Sequence, residues 1–190
     1  MVIVGLFLNK EIRTGANRRY LELMTGLAAR GNHIYVAMNT LLDKQLQGFT
    51  CVPVTIPYVR KGFPPASWIF RKKTPEILKN LLEKMNEQGD TRVDWIVIHG
   101  DTHLPLALKL KKALECRLFY AYRCNDIQRA QLVRYSGGLS IREFTSSLLM
   151  ENLYRFRERM VSRKADLVTF QNISDRDDFR RRTDYPLTRT

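Results

Sequence analysis

The chain has 190 residues, of which 44% are hydrophobic, and a formal charge of +13 from 32 Lys and Arg against 19 Asp and Glu. This length and apolar content allow a core of its own, which argues against intrinsic disorder and favours one domain. No apolar run approaches the roughly 20 residues that cross a bilayer, and the apolar opening lacks a basic leader and a cleavage site. The positive charge favours nucleic acid, anionic lipid or phosphorylated small molecules, without choosing among them.

The first segment of the chain combines a strand, a glycine turn and a helix. An apolar strand is predicted over Val2–Leu8, followed by a polar loop, Asn9–Asn17, and an amphipathic helix. Gly15 lies at the turn, and Arg18 and Arg19 lie in the first helical turn. Because a helix start already carries partial positive charge, two arginines there favour a bound phosphate or carboxylate. The alternative is that both guanidinium groups point into water.

Apolar, β-branched segments alternate with amphipathic ones along the rest of the chain. The predicted strands are Val2–Leu8, His33–Met38, Cys51–Ile56, Val93–His99, Leu118–Tyr122 and Leu167–Phe170. The predicted helices are Asn17–Arg30, Pro75–Gln88, Leu104–Glu115, Ile127–Val133, Ile141–Ser162 and Ser174–Arg182. This alternation predicts parallel βα units with right-handed crossovers, hence a Rossmann-like, three-layer α/β domain. Its mostly parallel sheet is expected in the order 3-2-1-4-5-6.

Two segments outside this pattern also lead to expectations. The basic, aromatic and proline-rich stretch Tyr58–Lys73 is predicted to be a loop, which either contacts an acidic or membrane partner or is a surface loop with Trp68 and Phe70 tucked under it. In the long helix, an apolar stripe predicted to face the core comprises Ile141, Phe144, Leu148, Phe156 and Met160. Its arginines are predicted to form a solvated face.

Polar residues follow the first, fourth and fifth predicted strands. In a sheet of this order, the loops after the first and fourth strands diverge and open a ligand crevice at the carboxyl edge. Gly15 and Arg19 should therefore face the loop His99–His103, where two histidines flank Asp101. Such a pair could bind a metal or shuttle a proton; alternatively, His99 closes the strand and His103 caps the next helix. After the fifth strand come Arg123, Cys124, Asn125 and Asp126.

In this arrangement, the segment Gly15–Leu23 (GANRRYLEL) followed by Leu27–Val36 (LAARGNHIYV) resembles the amino-terminal domain of GT-B fold, GT4-like retaining glycosyltransferases. The family has there a glycine pair, an arginine four residues after its first member, an apolar helix and "RGH" before the second strand. Further points of similarity, in the same order along the whole chain, are Asp94–His99, Arg123–Asp126, Glu151 and Ala165–Gln171.

The resemblance implies a division of labour between two domains. This half would supply most of the acceptor site, with Gly15 near the donor diphosphate or the transferred sugar. A second Rossmann-like domain would hold most of the nucleotide. We therefore expect 1–190 to be a single amino-terminal domain without its carboxyl-terminal, donor-binding partner, and inactive alone. No cofactor or metal is expected beyond the nucleotide-sugar co-substrate, and the acceptor would be a glycan or a lipid-linked molecule.

The resemblance and the crevice argument together give a set of candidate site residues. Catalytic roles are predicted for Arg123, Asp101 and His99, and substrate contacts for Gly15, Ala16, Arg19, His103, Asn125 and Asp126. Arg19 or Arg123 would stabilise the departing diphosphate, while Asp101, Asn125 and Asp126 would hydrogen-bond acceptor hydroxyls. The chain departs from the family twice: Ala16 replaces a second glycine, and Arg123 or Cys124 replaces a histidine after the fifth strand.

Two other functions compete with a polysaccharide-building transferase. A metallophosphatase-like hydrolase could use His99, Asp101 and His103, although the third histidine, His33, lies at the start of the second strand. A non-catalytic Rossmann-like module could bind a polyanion, without nucleic acid being expected, because no familiar recognition pattern is present. Three cysteines at spacings typical of neither zinc sites nor disulfides predict reduced thiols in a cytoplasmic protein. The excess of basic residues favours a position peripheral to an anionic membrane surface.

Overall fold

The structure is a computed structural model that describes residues 1–9, 15–40, 48–56, 66–122, 125–135 and 137–186. Its strands are β1 (Val2–Phe7), β2 (His33–Asn39), β3 (Thr50–Val54), β4 (Trp95–His99), β5 (Arg117–Ala121) and β6 (Leu167–Thr169). Its helices are α1 (Gly15–Ala28), α2 (Ala66–Lys72), α3 (Thr74–Glu87), α4 (Leu104–Leu114), α5 (Asp126–Tyr135), α6 (Ile141–Lys164) and α7 (Ile173–Thr183). The sheet order, β3-β2-β1-β4-β5-β6, confirms the predicted Rossmann-like α/β fold.

β1 lies between two parallel neighbours, and its side chains are buried on both faces of the sheet. It pairs with β2 from Val2↔His33 to Phe7↔Met38, and with β4 at Ile3↔Trp95, Val4↔Ile96 and Gly5↔Val97. Beyond Val2 every residue of β1 is buried, which explains why its sequence is continuously apolar and does not alternate.

The chain divides into two compact units, the first spanning Met1–Phe119 and the second beginning at Tyr120. In the first unit, α1 packs on one face of the sheet through Tyr20, Leu21 and Met24, against residues of β1, β2 and β4. α3 packs on β2 and β3, and α4 packs on β4 and α3. The side chains of α3 that fill this second layer are Ile77, Leu81 and Met85, all buried.

The hydroxyl of Tyr20 fixes the point at which β1 and β4 separate. It accepts a hydrogen bond from the Leu6 amide and donates one to the Val97 carbonyl, both at 2.8 Å. A Cβ on Gly5 would lie 2.9 Å from both the Tyr20 hydroxyl oxygen and the Met24 sulfur, so only glycine admits the helix this close to the strand. The ladder between β1 and β4 ends at Gly5↔Val97, and the hydroxyl bridges the two strands directly beyond it.

The second unit has its own core of aromatic side chains. The ring of Phe179 on α7 lies 5.4 Å from Tyr122, 5.3 Å from Phe170 and 5.7 Å from Tyr185, measured between centroids.

α6 begins with a capping box, in which Ser140 and Glu143 satisfy each other's backbone amides.

The stretch Tyr58–Lys73 is only partly within the described residues, and there the prediction of a loop is wrong. Residues 66–72 form the helix α2, with Phe70 buried against the ring of His103 and Trp68 partly exposed beneath the Lys72 ammonium. A helix of only two turns with two aromatic residues is too short to show a clear helical repeat of apolar residues in the sequence.

The predicted core-facing stripe of the long helix is also wrong. Ile141, Leu148 and Phe156 are 86%, 44% and 60% exposed, and Phe144 is exposed as well. The face of α6 that is turned inward carries Glu151, Glu158 and Val161. The spacing of apolar residues along a helix does not tell which of its faces is covered.

No helix among the described residues is both long and apolar enough to cross a membrane. Cys51 and Cys116 are not joined in a disulfide, and Cys124 lies outside the described residues.

The Tyr20 bridge predicts a large loss of stability on removal of one oxygen. Tyr20→Phe should lower the free energy of unfolding by about 2–4 kcal/mol, because a buried amide and a buried carbonyl lose their partner. Urea unfolding followed by circular dichroism measures this. Tyr135→Phe, at a tyrosine that is 82% exposed, is the matched control and should change stability by less than about 0.5 kcal/mol. Equal effects of the two changes would contradict the bridging role.

Candidate functional site

The end of β1 and the turn that follows β4 meet at the carboxyl edge of the sheet in the first unit. The Leu8 amide donates a hydrogen bond to Nε2 of His103 at 3.3 Å, although the two residues are 95 positions apart. The rings of Tyr20 on α1 and His99 at the end of β4 lie 5.7 Å apart. The start of α1 and the His99–His103 loop are therefore parts of one edge.

A tight turn connects β4 to α4. Gly100 has φ 77° and ψ 169°, a backbone conformation that residues with a Cβ rarely adopt, and it is followed by a 3-10 turn over Asp101–His103. His103 occupies the cap position of α4, but its side chain does not cap the helix. The imidazole instead accepts a hydrogen bond from the end of β1. The alternative prediction, that His103 caps the next helix, is therefore wrong for its side chain.

His103 is a neutral imidazole in this setting. Its side chain is buried, and its ring stacks on Phe70 at 5.1 Å. Burial, together with the nearby His99, lowers the pKa of His103 to about 4. Since Nε2 accepts the Leu8 hydrogen bond, the proton of the neutral ring is on Nδ1. Phe70 was missed as a site residue, because its partner is distant in sequence.

The start of α1 carries positive charge that no acidic residue of its first turn offsets. The first turn of α1 contains no Asp or Glu, whereas Asp101 lies in the 3-10 turn that leads directly into α4. Arg18 and Arg19 are exposed, and Nε of Arg19 lies 3.4 Å from the Gly15 carbonyl oxygen. The start of α1 and its two arginines favour an anion here.

Gly15 leaves open space beside this helix start. A Cβ built on Gly15 would have no atom within 4 Å, and its φ is not in the positive range. Neither packing nor backbone strain among the described residues thus requires glycine at this position. Ala16 follows it in α1, and the Ala16 side chain lies outside what the structure describes.

The candidate residues after β5 belong to the second unit and have different surroundings. Arg123 lies outside the described residues. The side-chain oxygen of Asn125 accepts a hydrogen bond from the Gln128 amide at 3.0 Å, and its nitrogen donates to Asp178 at 2.9 Å. Asn125 therefore caps α5 and ties it to α7. Asp126 lines an open groove of about 670 Å³ between α5 and α6.

A buried polar network beside Asn125 was not anticipated from the sequence. The Tyr122 hydroxyl donates to Glu158 at 2.6 Å, and Arg182 donates to both Glu158 oxygens at 2.8 and 2.9 Å. Burial, and then the adjacent Glu158 carboxylate, raise the pKa of Tyr122 above its usual range. These side chains are fully engaged with one another, which indicates a structural role.

The metal-dependent alternative has little geometric basis. Among the described residues, no three His, Cys, Asp or Glu side chains are grouped so that they could hold a metal ion. His33 lies at the amino end of β2, where its Nδ1 is 2.9 Å from the Asp90 carboxylate. It is thus at the opposite edge of the sheet from His99 and His103.

Solved structures with the same fold are known, although sequence comparison gives nothing. No protein-family model matches the chain, and a search of curated proteins finds no match either. The calicheamicin glycosyltransferase CalG4 aligns with a TM-score of 0.52 at 12% identity, over 92% of this chain and 50% of the CalG4 chain. A sucrose-phosphate synthase from Thermosynechococcus elongatus aligns with a TM-score of 0.52 at 13% identity, over 94% of this chain and 81% of the other.

These similarities define the class of fold. The chain has the Rossmann-like architecture of one half of a GT-B glycosyltransferase, and it spans half the length of the CalG4 chain. At 12–13% identity the likeness concerns the fold alone.

The buried, neutral His103 predicts a dependence of stability on pH. The unfolded chain protonates this imidazole below about pH 6.5, whereas the folded protein does so only near pH 4. The free energy of unfolding should therefore fall as the pH drops from about 6.5 to about 4, by up to about 3 kcal/mol. His103→Gln, which retains an acceptor for the Leu8 amide, should flatten this part of the profile in urea unfolding. An unchanged slope would contradict the assignment.

The two glycines of the site should respond differently to the same substitution. Gly100→Ala should lower the free energy of unfolding by about 1–3 kcal/mol, because its backbone has a strongly positive φ. Gly15→Ala should change it by less than about 0.5 kcal/mol, since the new methyl group meets open space. Thermal and urea unfolding of both variants would check this. A comparable loss at Gly15 would show that the fold itself needs that glycine.

Proposed function

We propose that this chain is the amino-terminal, acceptor-side domain of a glycosyltransferase. The complete enzyme would transfer a sugar from a nucleotide-sugar to a glycan or a lipid-linked acceptor, with retention of configuration as in GT4-like enzymes. A carboxyl-terminal domain would bind most of the nucleotide, so 1–190 alone would not turn over a donor. The observation that carries the proposal is the GT-B half fold, combined with the anion-favouring start of α1 at the carboxyl edge of the sheet.

The role of each residue follows from the chemistry that the side chains at this edge of the sheet can provide. Departure of a nucleoside diphosphate builds up negative charge, which positive groups and helix starts stabilise. Arg19 would supply the charge, and the open space beside Gly15 would admit the diphosphate or the sugar. His99 and Asp101, at the end of β4, are the groups that would contact the reacting sugar or an acceptor hydroxyl.

His103 would not touch the substrate and would act only by positioning other parts of the site. The Nε2 atom of His103 already accepts a hydrogen bond from the Leu8 amide. Because the pKa of His103 is about 4, the imidazole carries no positive charge at neutral pH. It therefore neither stabilises negative charge as a cation nor takes a proton from the substrate's hydroxyl group at Nε2. It fixes the end of β1 against the start of α4, and thereby the spacing of the two loops. For Arg123, the charge-stabilising role stays a prediction from the sequence.

We further propose that the enzyme works on polysaccharide precursors at a cytoplasmic membrane surface. The chain carries a formal charge of +13, and lipid-linked acceptors are presented at the surface of anionic bilayers. This proposal names the setting and leaves the sugar and the nucleotide base to experiment.

The first test is made on the protein extended by its carboxyl-terminal domain. Saturation-transfer NMR with a panel of nucleotide-sugars should show one donor bound preferentially, and NMR of the product anomer should show retention. An inverted product would contradict the retaining mechanism. Polyanion binding without preference for any nucleotide-sugar would favour the non-catalytic module.

Arg19→Gln should separate a functional arginine from a structural one. Transfer by the extended protein should fall by about tenfold or more, because the departing diphosphate loses a charge partner. The free energy of unfolding should change by less than about 0.5 kcal/mol, since an exposed cation at a helix start adds nothing to the helix. Arg30→Gln, at an exposed arginine just beyond the other end of α1, is the matched control and should leave transfer unchanged. Equal losses in both variants would overturn the role of Arg19.

A further inference from the structure

The groove between α5 and α6 in the second unit has the size of a binding site for a small molecule. Its volume is about 670 Å³, and sites for small ligands typically have about 300–1,000 Å³. Val133 and Met150 line this concave surface and are 46% and 38% exposed. A ligand that covered them would gain free energy from the burial of apolar surface. The other apolar lining residues of this α5–α6 groove are Ala130, Leu139 and Tyr154.

The two carboxylates of the α5–α6 groove are stabilised by the helices that carry them. Glu143 accepts hydrogen bonds from the backbone amide and the hydroxyl of Ser140, at 2.9 and 2.7 Å. These hydrogen bonds lower the pKa of Glu143. Asp126 lies in the first turn of α5, where the partial positive charge of the helix start stabilises a negative charge. Both negative charges are therefore offset within the protein.

The two arginines of the groove have no such counterpart. Arg129 on α5 and Arg142 on α6 both line the groove and are exposed. Among the residues that the structure describes, neither is ion-paired, whereas Arg134 and Arg155 of the same helices are paired with Glu151. A guanidinium group only donates hydrogen bonds, and its planar fork matches a carboxylate or a phosphate. The hydrogen-bonding capacity that remains at these two arginines therefore suits an anion.

We infer that the α5–α6 groove binds a small amphiphilic anion, with its apolar body against Val133 and Met150 and its carboxylate or phosphate group held by the two arginines. The cations come from two different helices and flank a concavity, an arrangement that surrounds a single ligand. A folded protein partner would need contact over about 800 Å² of this surface, and a bilayer would need one flat side. The inference does not rest on the proposed transfer chemistry.

Titration of the full chain with naphthyl phosphate tests the inference. Calorimetry should detect binding, and in NMR spectra of the nitrogen-labelled protein the amide signals of Ala130, Val133 and Met150 should shift. Inorganic phosphate lacks the apolar body of this probe, and naphthol lacks its charge. Each of them should bind about tenfold more weakly or worse, because each retains only one of the two interactions.

The contribution of the arginines is tested by single substitutions. Arg129→Gln and Arg142→Gln should each weaken the binding of naphthyl phosphate about fivefold or more, because a charge-assisted hydrogen bond is lost. Arg159→Gln removes an exposed arginine of α6 that does not line the groove, and it is the matched control. This control should bind the probe within about twofold of the unchanged protein.

The apolar side of the groove is tested in the same way. Met150→Glu should weaken binding about tenfold or more, because it removes an apolar contact and adds a negative charge beside the anion. Leu149→Glu makes the same change in charge at the adjacent position of α6, where the side chain is 70% exposed and lies outside the groove lining. This control should bind the probe within about twofold of the unchanged protein. Circular dichroism would confirm that every variant is folded.

Several outcomes would overturn the inference. Equal weakening in the groove variants and their controls would assign binding to net charge alone. Naphthol that binds as tightly as naphthyl phosphate would remove the role of the arginines. Displacement of the probe by vesicles of anionic lipid, or by an acidic amphipathic peptide at a lower concentration than any small anion, would assign the groove to a larger partner. Binding of naphthyl phosphate by a protein that binds no nucleotide-sugar would sustain this inference and contradict only the proposed transferase.

Discussion

The rest of the site depends on one buried hydroxyl. Tyr20 accepts from Leu6 and donates to Val97, so the backbone groups of β1 and β4 stay paired where their own ladder has ended. An unpaired buried amide or carbonyl is costly, and without this bridge the strands could not separate at that point. Their separation allows one chain segment to turn into α1 and the other into the Gly100 turn. The separation of the two strands therefore depends on a tyrosine on α1 and on Gly5, whose missing side chain leaves room for the tyrosine hydroxyl.

Sheet order and strand location were predictable, because fully buried parallel strands have continuously apolar sequences. β1 and β2 are of this kind, and their pairing follows from the handedness of the crossover. α2 was missed because its seven residues follow a proline-rich basic stretch, and Phe70 shows its purpose only when it stacks on His103. Gly5 inside an apolar strand was a signal of close helix approach that the sequence did contain.

The candidate site was predictable at the level of loops and not of individual atoms. The juxtaposition of the segments after β1 and β4 follows from topology, and the Leu8–His103 hydrogen bond agrees with it. Which groups of that edge are committed to the protein depends on contacts between residues nearly a hundred positions apart. His103 and Asn125 look alike in sequence as polar residues after strands, yet one anchors a strand and the other caps α5 and binds Asp178. Arg19, in contrast, remains exposed at a helix start that does not need it.

The second unit has an unusual distribution of polarity that stability alone does not explain. Buried ion pairs such as those of Glu151 and Glu158 are no more stabilising than apolar side chains of similar size, because both ions lose their hydration. α6 nevertheless pairs its buried Glu151 and Glu158 with arginines inside the second unit and leaves Ile141, Leu149 and Phe156 exposed.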